Sequence, residues 1–185
     1  MDNKFWFDDT APALNGYEKL LDPPISRQDI SFWINYELMR RGLNNATAIN
    51  AAVEESTVGM RACCQLLQQD YFIRDNISQN DVLIVSVGGN DIALRPNPCT
   101  ILHMITLMKC CPTSCLESLA TGCFLPCDDY CCGCTTGCLS DFLACPAGYG
   151  YFLHLFGARI QSFVDRLTSK QRPRVILVCM VRPRI

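Results

Sequence analysis

Several features are missing from these 185 residues, and each absence removes a class of function. Charge excess is missing: sixteen basic against eighteen acidic residues leave a formal charge of -2. No basic stripe with interleaved aromatics appears either, so nucleic acid is not an expected partner. No long apolar run survives inspection. The longest uncharged stretch, Phe142 to Ala158, is broken by Pro146, Gly148, Gly150 and Gly157, and it sits at the short limit for a membrane-spanning helix. The amino terminus, MDNKFWFDD, has neither the basic n-region nor the apolar core of a secretory signal, so a cytoplasmic chain is the default expectation. Internal repeats are absent. Histidine is nearly so, with only His103 and His154.

What the chain does have is length for one domain with a substantial core and an excess of cysteine. Eleven of its fourteen cysteines fall between Cys99 and Cys145. The excess is therefore regional, an insertion over residues 99–147, and not a whole-chain disulfide scaffold. Cys111/Cys115, Cys123/Cys127/Cys131 and Cys134/Cys138 are spaced by four, which stacks thiols only if the segment is helical. Paired Cys-x-x-Cys knuckles mark structural zinc sites, and only Cys131/Cys134 has that spacing. Disulfides, a metal site and reduced cysteines packed as small hydrophobes all remain open. No cofactor is expected. From Cys99 to Ala158 the charged residues are Lys109, Glu117, Asp128, Asp129 and Asp141. So apolar a segment needs cover: a place over the sheet's ligand edge, a membrane surface or a protein partner.

The organising stretch is Asp81 to Arg95, DVLIVSVGGNDIALR. Its run Val82 to Val87 is apolar except for Ser86, which predicts a strand buried on both faces, as in a parallel sheet. Gly88-Gly89 breaks the strand at its carboxyl end, where ligands bind in open α/β sheets. Asn90 and Asp91 follow at the strand tip. Their bland reading is a turn in which Asn caps the next helix.

Around this unit the patterns predict further elements. A Ser-x-x-Asp capping box, Ser26 to Asp29, opens a helix to about Arg41, with Ile30, Trp33, Ile34 and Leu38 facing a core and Gly42 as the stop. Residues 46–53 read as a second buried strand, and a helix follows from near Thr57 to about Asp70. Pro96 and Pro98 end whatever Ile92 to Leu94 begins. An amphipathic helix from Tyr149 to about Ser169 places Phe152, Leu155, Phe156, Ile160, Phe163 and Leu167 on one face. Residues 174–181, RVILVCMV, form a third buried strand. This order predicts an α/β domain: a parallel central sheet with helices on both faces, joined by right-handed crossovers.

Gly88-Gly89-Asn90-Asp91 resembles the Gly-x-Asn-Asp block of the SGNH (GDSL-type) hydrolases. The resemblance implies a three-layer, flavodoxin-like fold and a serine esterase or lipase site. It gives Asn90 the role of side-chain donor to the oxyanion, with Gly88 and Asp91 in support. The family's second block, Asn-x-Gly-x-x-Gly-x-Thr, is similar to Asn50, Ala52, Glu55 and Thr57; both glycines are replaced. On this alignment Glu55 stands where a glycine offers its backbone N–H to the oxyanion, and Glu55 can do so if the position does not demand a positive φ. Glu54 and Glu55 are otherwise either a carboxylate pair or a solvated strand-to-helix loop.

Two blocks of the family pattern are not found. Gly-Asp-Ser, which carries the nucleophile, occurs nowhere. Met1-Asp2-Asn3 with Phe5-Trp6-Phe7 resembles the stretch that continues it, which implies that Met1 lies just beyond the serine position. Asp-x-x-His is missing as well, since Thr100 and Tyr151 precede the two histidines at that spacing. The expectation is an incomplete SGNH-like domain over 1–185, inactive as it stands, whose parent would cleave esters with an apolar acyl group. The alternative is a non-catalytic α/β module whose cysteine-rich insert binds metal, a membrane surface or a protein.

Overall fold

The computed structural model describes residues 10–61, 65–110 and 148–179. The segments 1–9, 62–64, 111–147 and 180–185 lie outside these residues, and with them the Met1–Phe7 resemblance and most of the cysteine-rich segment. The chain groups into two compact units, Met1–Ala52 and Val53–Ile185. Its structure is mixed α/β with small sheets.

In the first unit β1 (Thr10–Pro12) pairs antiparallel with β2 (Ile25–Arg27), Ala11 opposite Ser26. Helix α1 (Ile30–Arg40) follows. Its cap is Asp29, whose carboxylate accepts from the Phe32 N–H at 3.0 Å and from the Ser31 hydroxyl at 2.6 Å. The expected start at Ser26 is corrected, because Ser26 is committed to the β2 ladder. Gly42 does end the helix, with φ +70° and its N–H on the Met39 carbonyl. Phe32 and Asn35 are the residues that α1 buries, whereas Trp33 is 52 % exposed. A core role for Trp33 is therefore overturned. Asn35 also explains why residues 46–53 are no strand. Its carboxamide donates to the Ala48 carbonyl at 2.9 Å and accepts the Ala48 N–H at 2.8 Å, taking the backbone groups that a neighbouring strand would need.

The second unit opens with a loop that ends in a 3₁₀ turn, Gly59–Arg61. Helix α2 (Gln68–Asn76) begins well after the expected Thr57. The local chemistry accounts for the delay. Side chains of Thr57 and Asp91 take the N–H groups of Met60, Val58 and Gly59, so the turn is satisfied without helical propagation. A separate acceptor, Asp70, takes the Leu67 N–H at 2.8 Å and fixes the start of α2.

Strand β3 (Val82–Ser86) runs parallel to β4 (Val175–Cys179), from Val82 opposite Val175 to Ser86 opposite Cys179. This is the one parallel pair among the described residues. The sequence predicted burial on both faces, but burial alternates instead. Leu83 and Val85 point into the core, while Val82, Ile84, Val175 and Leu177 remain exposed. The strand tip continues into α3 (Gly89–Ala93), and Pro98, placed as a helix breaker by sequence, opens α4 (Pro98–Cys110). Proline suits a first helical position, where no partner for its missing N–H is required. The predicted helix from Tyr149 is present as α5 (Tyr149–His154) and α6 (Ile160–Leu167), joined by a π turn at Leu155–Arg159. Tyr151, Leu155, Ile160, Phe163, Val164 and Leu167 pack with Leu83, Val85 and Val58 in one core.

Candidate functional site

All four residues singled out from the sequence, Glu55, Gly88, Asn90 and Asp91, belong to the second unit and meet at the carboxyl end of β3. Gly88 makes the turn with φ +98°. A Cβ there would also lie 2.7 Å from the Phe156 ring, so both backbone and space require glycine. Behind it, α3 presents Asn90 and Asp91 to the loop 55–59. The Asn90 carboxamide donates to the Ser56 carbonyl at 3.0 Å. Asp91 is only 4 % exposed, and its two oxygens accept the N–H groups of Val58 at 2.7 Å and Gly59 at 2.9 Å. A buried carboxylate that accepts two backbone N–H groups is well satisfied. Asp91 therefore shapes the loop.

Glu55 adopts φ +58°. Sequence reasoning let Glu55 serve as a backbone donor only if its position did not demand a positive φ; the structure shows the left-handed conformation there. That conformation costs a non-glycine residue about 1–2 kcal/mol, and it is what a glycine at this place would provide freely. The Glu55 carboxylate turns to Arg95, whose Nη2 donates at 2.6 Å. Arg95 in turn closes α3 through its own N–H on the Asn90 carbonyl at 2.8 Å. Glu54 and Glu55 are both exposed, in keeping with a solvated loop.

Behind the loop stands an ion pair that sequence reasoning missed. Arg61 Nε donates to Asp70 Oδ2 at 2.8 Å, with both side chains almost wholly buried. Arg61 also donates to the Thr57 carbonyl at 3.0 Å, and its guanidinium lies 4.8 Å from the Phe163 ring centroid. Arg166 grips the same segment from α6 by donating to the carbonyls of Arg61 and Gln65. No spacing rule joins residues so far apart in sequence as Arg61 and Arg166. For Asp91 the signal was only the motif.

The other matches to the second block are placed differently. Asn50 belongs to the first unit, where its carboxamide donates to Asp29 at 2.6 Å and accepts the Ala52 N–H. Thr57 caps the 3₁₀ turn. The histidines are interior residues of helices. His103 is fully buried and stacks on Tyr151, the ring centroids 4.8 Å apart, and His154 is buried on α5. Thr100 and Asn97 both hydrogen-bond the Tyr151 hydroxyl, so the residues that stand where the family has aspartate serve the core.

Among the described residues no group of His, Cys, Asp and Glu is arranged to hold a metal ion. No helix among them is long and apolar enough to cross a membrane. No protein-family model, curated protein or solved structure matches the chain.

Proposed function

We propose that the loop 55–59 and the strand tip 88–91 are the oxyanion side of an SGNH-type ester-hydrolase site. On this reading the chain as it stands turns over little or no ester. The surrounding fold is a three-layer parallel α/β domain of which β3 and β4 are one part. The observation that carries the reading is the φ of +58° at Glu55. The resemblance aligns this residue with a glycine, and its backbone has the conformation that favours glycine. The Asn90–Ser56 hydrogen bond supports it, because it brings together the two blocks that the family uses for one oxyanion. Asn90 is the side-chain donor, and Gly88 and Asp91 hold its geometry. Glu55 occupies the family's glycine position, but its positive φ does not meet the condition set for its backbone N–H, and the backbone-donor role is not carried over to it. Arg95 offsets the Glu55 charge that would otherwise oppose a developing oxyanion. The substrate class is an ester with an apolar acyl group.

The test has two parts. The chain should hydrolyse short-acyl p-nitrophenyl esters no faster than its Asn90→Ala variant. The transcript should carry Gly-Asp-Ser in frame before Met1 and Asp-x-x-His after β4. A chain extended through both blocks should then lose roughly 10²–10³ in kcat on Asn90→Ala. A transcript without those blocks overturns the reading. A second reading, a non-catalytic binding module, is favoured by the exposed apolar face of Val82, Ile84, Val175 and Leu177.

A further inference from the structure

A different feature lies in the first unit. Asn45-Ala46-Thr47 has the form Asn-x-Thr with no proline at the middle position. That pattern is read by oligosaccharide transfer, and the chemistry needs an accessible carboxamide and a hydroxyl two residues on. The structure supplies both. Residues 41–47 are all exposed, in a turn that leaves α1 through Gly42. The chain is then fastened just beyond Asn45. Asn15 donates to the Ala46 carbonyl at 2.6 Å, the Thr47 hydroxyl donates to the Asn15 carbonyl at 2.7 Å, and Asn35 holds Ala48 by both backbone groups. Among the described residues the Asn45 carboxamide itself has no hydrogen-bond partner.

We propose that Asn45 is an N-glycosylation site. The donor is a lipid-linked oligosaccharyl diphosphate. The Asn45 Nδ2 bonds to C1 of the first sugar, the C1–O bond to the diphosphate breaks, the lipid diphosphate leaves, and Nδ2 gives up one proton. This transfer takes place in the oxidising secretory compartment, so the proposal replaces the cytoplasmic expectation drawn from the amino terminus. The regional excess of cysteine between Cys99 and Cys145 suits that compartment. Asn76-Ile77-Ser78 has the same form. There, however, Asn76 is the last residue of α2 and its Nδ2 donates to the Phe72 carbonyl at 2.8 Å. Asn76 is the poorer acceptor and lies outside the proposal, which is independent of the ester-hydrolase reading.

The experiment is peptide mass spectrometry on the protein recovered from the cells that make it, with and without a peptide N-glycosidase in ¹⁸O water. Asn45 should appear as ¹⁸O-labelled Asp only after the enzyme. In those cells Asn45→Gln and Thr47→Ala should each abolish the glycan-dependent mobility shift, whereas Thr47→Ser and Asn44→Gln should retain it. Recovery of the Asn45 peptide wholly unmodified, or a shift that survives Asn45→Gln and moves with Asn44→Gln, overturns the proposal.

Discussion

Replacing Glu55 by glycine and by alanine separates its backbone from its charge. Both changes remove the Glu55–Arg95 ion pair, whose side chains are 55 % and 57 % exposed. A pair so solvated is worth about 0–1 kcal/mol, and that loss is common to both variants. They differ in the backbone. Alanine keeps the left-handed strain of about 1–2 kcal/mol, while glycine removes it and gives back about 0.4–1 kcal/mol through a more disordered unfolded chain. The glycine variant should thus be the more stable of the two by about 1 kcal/mol, a difference of roughly 2–4 °C in Tm for a chain of this size. Urea titration of both variants, followed by circular dichroism, measures the gap. Asparagine, which tolerates the left-handed region, should fall between them. An alanine variant as stable as the glycine variant would mean that residue 55 does not hold a positive φ. The observation behind the proposed oxyanion loop would then be lost.

Other perturbations have their own magnitudes. Asp91→Ala strands the N–H groups of Val58 and Gly59 and should cost about 1–3 kcal/mol for each that stays buried; faster hydrogen exchange at those two amides is the check. Asp70→Ala leaves Arg61 buried without its counter-ion and should cost about 3–5 kcal/mol, measured as a drop in the urea midpoint. A loss under about 1 kcal/mol there would show that Arg61 reaches water. Acid should act on two carboxylates. Burial raises the Asp29 pKa, but hydrogen bonds from Ser31, Phe32 and Asn50 outweigh it and hold the group below its usual range. Arg74 and Lys170 hydrogen bonds bring Asp75 to about 2. Both folded values are depressed, so their stabilisation is full above the unfolded pKa of about 3.9 and fades as pH falls toward 2. The stability gap between wild type and Asp29→Asn should stay constant above about pH 5 and close as pH falls below the unfolded pKa of about 3.9.

The legible parts of the chain were those governed by near neighbours. Val82–Ser86, the Gly88 turn, the Gly42 stop and the helical stretch after Tyr149 all follow from local period and punctuation. The illegible parts were decided by side chains from elsewhere. Residues 46–53 have a strand's composition, but Asn35 occupies the backbone of Ala48. Residues 57–70 have a helix's composition, but Asp91 captures the N–H groups at 58 and 59. At the site, the strand tip was readable because a motif names it. The Arg61–Asp70 pair was not, since charge composition does not say which arginine will be buried.

The π turn at Leu155–Arg159 has a consequence for how this chain tolerates changes in length. Leu155 and Ile160 both face the core although they stand five positions apart, one more than a helical face allows. The turn absorbs that surplus residue, so each half of the rod meets the sheet in its own phase. A one-residue deletion inside the turn, at Gly157 for example, would convert it into an ordinary α turn and bring Ile160 to the four-residue spacing. The same deletion in α6 would rotate every later side chain by about 100° and turn Leu167 away from the core. The turn is therefore the place in this helical stretch where the reading frame of the fold can slip by one without loss.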